Sequence, residues 1–367
     1  MNAKIVFTGG GSAGHVTPNM ALIEAFLKDK VSVAYIGSIS GIEKKLIEEM
    51  NIPYYGIQTG KLRRYLTWQH ILEPFKIMYG LIQSFLLLHR IQPKVVFSKG
   101  GFVSFPVVVT AWLKRIPVVA HESDMTPGLA NKLAIPFVKK ICINFPPAAQ
   151  YFKHPEQVFV TGTPIREVLL QGNAHRAQKM TGFAQDKSTI MIIGGSLGAK
   201  KINQMVRAIL PMLLERYQVI HICGRGNIDT LLENNLGYRQ FEFVGAELGD
   251  LFALSDMVIS RSGANSLYEL LTLAKPHLLI PLSKEASRGD QIDNAAYFEE
   301  KGVSYVLQEK DMTAETLMSA IVKVMLERDD LVTKMQALGF RSATEKVKRV
   351  IESFLECKDV KKKWVTD

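Results

Sequence analysis

Cysteine is scarce in this chain. Cys142, Cys223 and Cys357 are the only three among 367 residues, an odd number with no C-x-x-C pair. That excludes a disulfide framework and a thiolate zinc site, and it fits a reducing compartment. Long apolar runs are missing as well: no stretch of about 18 residues is uncharged and apolar throughout, so no membrane-spanning helix is expected. The opening run Ile5-Val6-Phe7-Thr8 passes into glycine too soon for a signal peptide, which points to the cytoplasm. Acid is sparse in the first half. Residues 1–163 hold 18 Lys+Arg against 9 Asp+Glu, a surplus of nine out of the net +10 of the whole chain. Residues 61–115 carry nine basic residues against one acid, Glu73. A field so one-sided calls for an anionic partner, such as a phosphorylated lipid or a membrane surface. Nucleic acid would suit the charge, but no recognition-module motif accompanies it.

Hydrophobic residues make up 47% of the chain, with 27 Gly and 15 Pro spread along it, as in a globular α/β protein of two domains. Residues 4–8 read as a strand, and Gly9, Gly11 and Gly14 then satisfy G-x-G-x-x-G before a helix near 18–29. A nicotinamide cofactor would need an acid at the end of the second strand to hold its ribose. Val31–Ile36 ends instead in Gly37-Ser38-Ile39-Ser40, so a dinucleotide is disfavoured and no cofactor is expected. His15 stands in this loop. It is either a helix-start residue bonded to backbone or a general base.

Residues 61–90 alternate cations with bulky apolar groups, among them Arg63, Arg64, Trp68, Phe75, Lys76 and Phe85. A buried amphipathic helix accounts for part of this composition, and a patch in a bilayer interface accounts for the excess of aromatics and cations. Further strands end in Lys99-Gly100-Gly101 and in His121-Glu122-Ser123-Asp124, so several polar loops gather on one sheet edge. After a hinge-like turn at Gly162-Thr163-Pro164-Ile165-Arg166, the run Thr189–Ile193 leads into Gly194-Gly195-Ser196-Leu197-Gly198, an echo of the opening design. The stretch Ser260–Glu269 follows a strand and opens a helix, placing unpaired N–H groups and the positive end of the helix dipole at a small-residue loop. Glu269 lies about one turn in, within reach of hydroxyls on whatever the loop holds. The loop after Leu278–Pro281 carries Arg288, Asp290, Gln291 and Asn294.

GGGSAGHVTPN, HESDMTPGLANK, GTPIR, GGSLGA, SRSGANSLYEL and DQIDNA occur in this order over nearly the whole chain. The combination resembles the MurG family of GT-B-fold glycosyltransferases. The resemblance implies an α/β fold of two Rossmann-like domains with parallel sheets facing across a cleft. An acceptor domain over residues 1–163, joined by a C-terminal helix in 341–367, and a donor domain over 164–340 are expected. It implies transfer of GlcNAc from UDP-GlcNAc to lipid I, giving lipid II for peptidoglycan. It places Ser12, Ala13 and Gly14 at the donor sugar and phosphates, and Asp124 where the family often has Asn. Arg166 and Ser196 would contact the diphosphate, backbone at Val244 the uracil, and Gln291 the donor sugar. Ala264, Asn265, Ser266, Leu267, Tyr268 and Glu269 would hold phosphates and ribose, with Arg261 counted among the donor residues. For the base, His15 leads and Glu122 and Asp124 follow. No D-x-D pair is available for a catalytic metal. The partners would be lipid I, an anionic membrane surface at the cytoplasmic face of the inner membrane, and cell-wall synthesis proteins. A diacylglycerol glycosyltransferase of the same fold, a UDP-GlcNAc epimerase and a non-catalytic sugar-nucleotide-binding protein are the alternatives.

Overall fold

The computed structural model describes residues 3–60, 73–195, 199–285 and 287–355. The chain forms two compact units: residues through Arg166 together with those from Ser342 onward, and Glu167–Arg341. The boundaries expected from the sequence fall at 163/164 and 340/341.

The first unit is built on β1 (Ile5–Thr8), β2 (Val33–Ser38), β3 (Tyr54–Ile57), β4 (Val95–Ser98), β5 (Val118–Glu122), β6 (Lys140–Ile143) and β7 (Val158–Val160). These pair in parallel in the order β3-β2-β1-β4-β5-β6-β7. β1 and β4 are buried along their whole length, which is why they read as unbroken apolar runs rather than alternating ones. The core under this sheet joins Phe7, Phe26 and Phe97 to Val347 and Ile351 of the helix Thr344–Glu352. This helix thus returns to complete the first core, and Lys348 pairs with Asp29 to hold it there.

The second unit carries β8 (Thr189–Ile193), β9 (Gln218–Ile222), β10 (Tyr238–Phe241), β11 (Met257–Ser260), β12 (His277–Leu279) and β13 (Tyr305–Val306). They pair in parallel in the order β10-β9-β8-β11-β12-β13. Both units are therefore doubly wound, as GT-B architecture requires. Each has one point at which the strand order reverses: between β1 and β4 in the first unit and between β8 and β11 in the second. In open α/β sheets, ligands bind outside the carboxyl ends of the strands at such a point.

Candidate active site

In the first unit, the loops leaving β1 and β4 meet at the reversal. Gly101 has φ +86°, and a Cβ there would lie 2.3 Å from the Gly10 carbonyl oxygen, so the two loops can touch only if this residue is glycine. Glu43, on the helix Ile42–Glu48, is buried beneath them. Its carboxylate accepts from the Gly11 N–H at 3.2 Å, the Ser38 N–H at 3.0 Å and the Ser38 hydroxyl at 2.5 Å. An acid therefore does serve the end of β2, five residues beyond Ser38, but it is spent on the glycine loop itself. The sequence does not mark it, because it stands on the following helix rather than at the end of the strand.

His15 closes the short turn Ala13–His15 and is half-buried, like Ala13 and Gly14, while Ser12 is exposed. Its Nδ1 lies 3.0 Å from the Gly10 carbonyl oxygen and 3.2 Å from the Ser12 hydroxyl. A carbonyl only accepts, so Nδ1 carries the proton in that bond, and the neutral ring presents its lone pair at Nε2. Both sequence readings of His15 are compatible with this: the backbone bond is present, and it is the bond that orients a base.

β5 ends on the same edge with Glu122. One carboxylate oxygen accepts from the N–H groups of Ser123 at 2.8 Å and Asp124 at 3.0 Å, and the other from Gly128 N–H at 3.0 Å and Asn131 Nδ2 at 2.8 Å. The side chain is 4% exposed. Four donors thus engage the lone pairs of the expected alternative base, and through them it shapes the 123–128 loop. Asp124, half-buried, remains at the rim. Beneath it Lys99 is buried, with its ammonium donating to the Ser123 hydroxyl. Arg166, the last residue of the first unit, has a buried Nε with no hydrogen-bond acceptor among the described residues.

In the second unit, Ser260–Glu269 runs from the end of β11 into the helix Ala264–Thr272. Gly263 is its N-cap and no side chain caps it, and the Leu267 N–H is bonded back to the Gly263 carbonyl at 3.0 Å. The first intrahelical bond is thus the one from Leu267, and the N–H groups of Ala264–Ser266 form the open first turn of the helix. The helix Asp290–Glu300 supplies the neighbouring wall: Ser262 donates to the Gln291 carbonyl at 2.7 Å, and Asn294 to the Ser262 carbonyl at 3.4 Å. The Gln291 amide oxygen accepts from Leu282 N–H at 3.1 Å, which leaves its Nε2 4.0 Å from where a Cβ on Gly263 would stand. Asn265, Ser266 and Glu269 are half-buried on this side.

Three expected donor residues point elsewhere. Arg261 is buried, donates to the carbonyls of Ile280 at 3.0 Å and Pro281 at 3.3 Å, and pairs at 2.5 Å with Glu309, whose side chain is 6% exposed. Its guanidinium ties β11 to the segment after β12. Leu267 is fully buried, and the Tyr268 ring packs edge-on against Phe298 at 5.7 Å and Phe340 at 6.1 Å. Ala264, Leu267, Tyr268 and Leu271 fall on one helical face, a periodicity that marks them as core. Val244 stands partly exposed three residues past β10. Ser196 lies outside the described residues, as do Arg63, Arg64 and Trp68. Among the described residues, no group of three or more His, Cys, Asp or Glu is placed to hold a metal ion.

The model of the glycosyltransferase family 28 N-terminal domain matches residues 5–143, and that of the family 28 C-terminal domain matches residues 189–354. The chain belongs to glycosyltransferase family 28. The family's C-terminal domain runs past Ser342, where this chain has already returned to the first unit. Relatives cover this family 28 enzyme almost end to end. A UDP-N-acetylglucosamine–N-acetylmuramyl-(pentapeptide) pyrophosphoryl-undecaprenol N-acetylglucosamine transferase of Legionella pneumophila (strain Paris) is 54% identical over 352 residues, 96% of this chain and 97% of its own. A protein of the same name, numbered 2, from Bacillus thuringiensis subsp. konkukian is 51% identical over 344 residues, 94% and 97% of the two chains. The crystal structure of Acinetobacter baumannii MurG matches with a TM-score of 0.74 at 25% identity, covering 95% of this chain and 99% of that one.

Proposed function

We propose that this enzyme moves GlcNAc from UDP-GlcNAc to the 4-hydroxyl of MurNAc in lipid I, forming lipid II for peptidoglycan. The observation that carries the reading is the 54% identity with a transferase of that name over 96% of the chain. His15 Nε2 takes the proton of the acceptor hydroxyl, whose oxygen attacks the anomeric carbon of GlcNAc. The bond from that carbon to the diphosphate breaks with inversion, and UDP leaves with the electron pair. Negative charge that grows on the diphosphate is met by the N–H groups at Ala264–Ser266 and by the unpartnered Nε of Arg166. Glu269 takes the uridine ribose hydroxyls, backbone at Val244 the uracil, and Gln291 with Asp124 the sugar. On this reading the first unit handles the acceptor and the second the donor.

The enzyme works as a peripheral protein at the cytoplasmic face of the inner membrane, where lipid I lies. The helix Glu73–Ile91 supports this: Ser84, Leu88 and Ile91 face the core, while Phe75, Met78, Tyr79, Ile82, Phe85 and Leu86 are exposed. Phe75 is 68% exposed, and the Lys114 ammonium sits 4.1 Å over the Phe85 ring. An apolar stripe with cations at its border is the pattern of an interfacial helix. Among the described residues, no helix is long and apolar enough to cross a membrane. A transfer assay with radiolabelled UDP-GlcNAc tests the activity. Label should pass to a lipid I analogue and not to diacylglycerol; the reverse result, or binding of the nucleotide without transfer, would replace the reading by one of its rivals.

A further inference from the structure

A charged side chain lies under the rim of the first unit and takes no part in the scheme above. Lys99, the residue after β4, is 1% exposed. Its N–H donates to the Thr8 carbonyl at 2.9 Å, and a Cβ on Gly9 would stand 3.1 Å from its own Cβ, so its stem is wedged against the start of the glycine loop that carries His15. Its ammonium reaches the other way, to the Ser123 hydroxyl. Glu122 and Asp124 bear on it as opposite charges, while the rings and thiols around it come from His121 on β5 and Cys142 on β6. An ammonium taken out of water is strongly disfavoured unless such groups compensate it, and an apolar chain of equal length would fill the same space at lower cost. Four hydrogen bonds already satisfy the Glu122 carboxylate. The buried charge bears on Glu122 first and Asp124 next, and the Ser123 hydroxyl between them is the group its ammonium bonds.

We infer that Lys99 is a positioning residue for the transfer, its ammonium fixing Ser123 and the Asp124 carboxylate on the rim beside the loop of His15. The inference rests on the reading of that rim as part of the transferase site. Burial lowers the pKa of Lys99 from 10.5 to about 8, against the opposing pull of Glu122 and Asp124. Of the groups packed on it, burial holds His121 well below its usual range and pushes Cys142 up to about 12. Neither titrates near the value for Lys99, so a loss of turnover in that range reports on the lysine.

The experiment measures kcat and KM of the full chain for UDP-GlcNAc and a lipid I analogue from neutral to alkaline pH. Wild-type kcat should fall through about 8 as the ammonium loses its proton. Lys99→Arg, which stays charged, should abolish that limb. Lys99→Met should lower kcat roughly 10- to 100-fold with little change in KM, the scale expected when a site is slightly displaced. Its melting temperature should equal or exceed that of the wild type, because a buried charge has gone. Ser123→Ala, a small change that serves even if Lys99→Met does not fold, should move the limb to lower pH by removing an acceptor of the charged form. The inference is overturned if Lys99→Arg and Ser123→Ala both keep the wild-type profile, or if Lys99→Met folds and turns over normally. A wild-type enzyme that transfers no sugar overturns the site reading, and the inference with it.

Discussion

The imidazole Nδ1 of His15 lies 3.0 Å from the carbonyl oxygen of Gly10, a bond that only a protonated Nδ1 can make. The ring is thereby held with Nε2 as the acceptor. His15→Ala should lower kcat by about 10²- to 10⁴-fold, the usual worth of a positioned base. UDP-GlcNAc affinity, measured by titration calorimetry, should stay within a few-fold of wild type. An equal loss in both quantities would reduce His15 to a loop-building residue.

Glu122 supports the opposite expectation. Truncation to alanine strands the buried Ser123 N–H and the part-buried N–H groups of Asp124 and Gly128, and leaves the buried Asn131 amide only its 3.4 Å bond to the His121 carbonyl. Each buried donor left alone costs about 1–3 kcal/mol, so Glu122→Ala should destabilise the first unit by on the order of 3 kcal/mol or more. Urea unfolding followed by circular dichroism gives the number. A variant as stable as wild type but catalytically dead would restore Glu122 as a base.

Arg261 and Glu309 form a second case in which stability, not affinity, should respond. Removing the arginine leaves the Glu309 carboxylate, 6% exposed, with Lys201, 3.8 Å away, as its remaining ion-pair partner among the described residues. Breaking a buried pair in this way costs about 3–5 kcal/mol. Arg261→Ala should therefore lower the unfolding midpoint of the second unit. In the fraction that remains folded, UDP-GlcNAc should bind with an unchanged Kd, and a Kd that weakens in step with phosphate contacts would return Arg261 to the donor site.

These cases mark what could be read in advance and what could not. β1, β4, β8 and β11 were legible because strands buried on both faces read as apolar runs, and the loops after them because only small residues allow such close turns. The helix after Gly263 followed from the same logic. The fates of Glu122, Arg261 and Glu43 were not legible, since each is decided by a partner brought near only by folding: Asn131, Glu309, and the Gly11 and Ser38 amides. Lys99 looked like the polar start of a glycine turn, and nothing local to it reveals Ser123 above. Leu267 and Tyr268 were within reach of the sequence, because their helical spacing with Ala264 and Leu271 already assigned them to the core.

The helix Glu73–Ile91 predicts salt-dependent binding to anionic vesicles. A lysine or arginine near such a surface contributes about 1 kcal/mol, so Lys76→Glu with Lys114→Glu should weaken binding by at least about 2 kcal/mol, roughly 30-fold. Vesicle sedimentation with and without anionic lipid measures it. Phe75→Ser with Leu86→Ser should weaken binding to both kinds of vesicle, since it removes the apolar part. If wild type fails to sediment at any salt concentration, the membrane assignment is lost.

Two buried histidines should make the second unit acid-sensitive. His221 bonds Asn203 at 3.0 Å and Tyr238 at 2.8 Å, and His277 bonds the Lys275 carbonyl and the Ser304 hydroxyl, both at 2.6 Å. Burial lowers their pKa values to about 3 and about 4, whereas an unfolded histidine titrates near 6.5. The unfolded chain therefore binds protons first as pH falls. The stability each neutral ring contributes is intact above about 6.5 and drains away from there down to the folded value. Each histidine should remove about 2 kcal/mol between about pH 7 and pH 5. Urea midpoints of the second unit should fall accordingly, and His277→Gln should flatten the slope by about 1.4 kcal/mol per pH unit. A slope untouched by that substitution would mean that water, rather than the core, surrounds the ring.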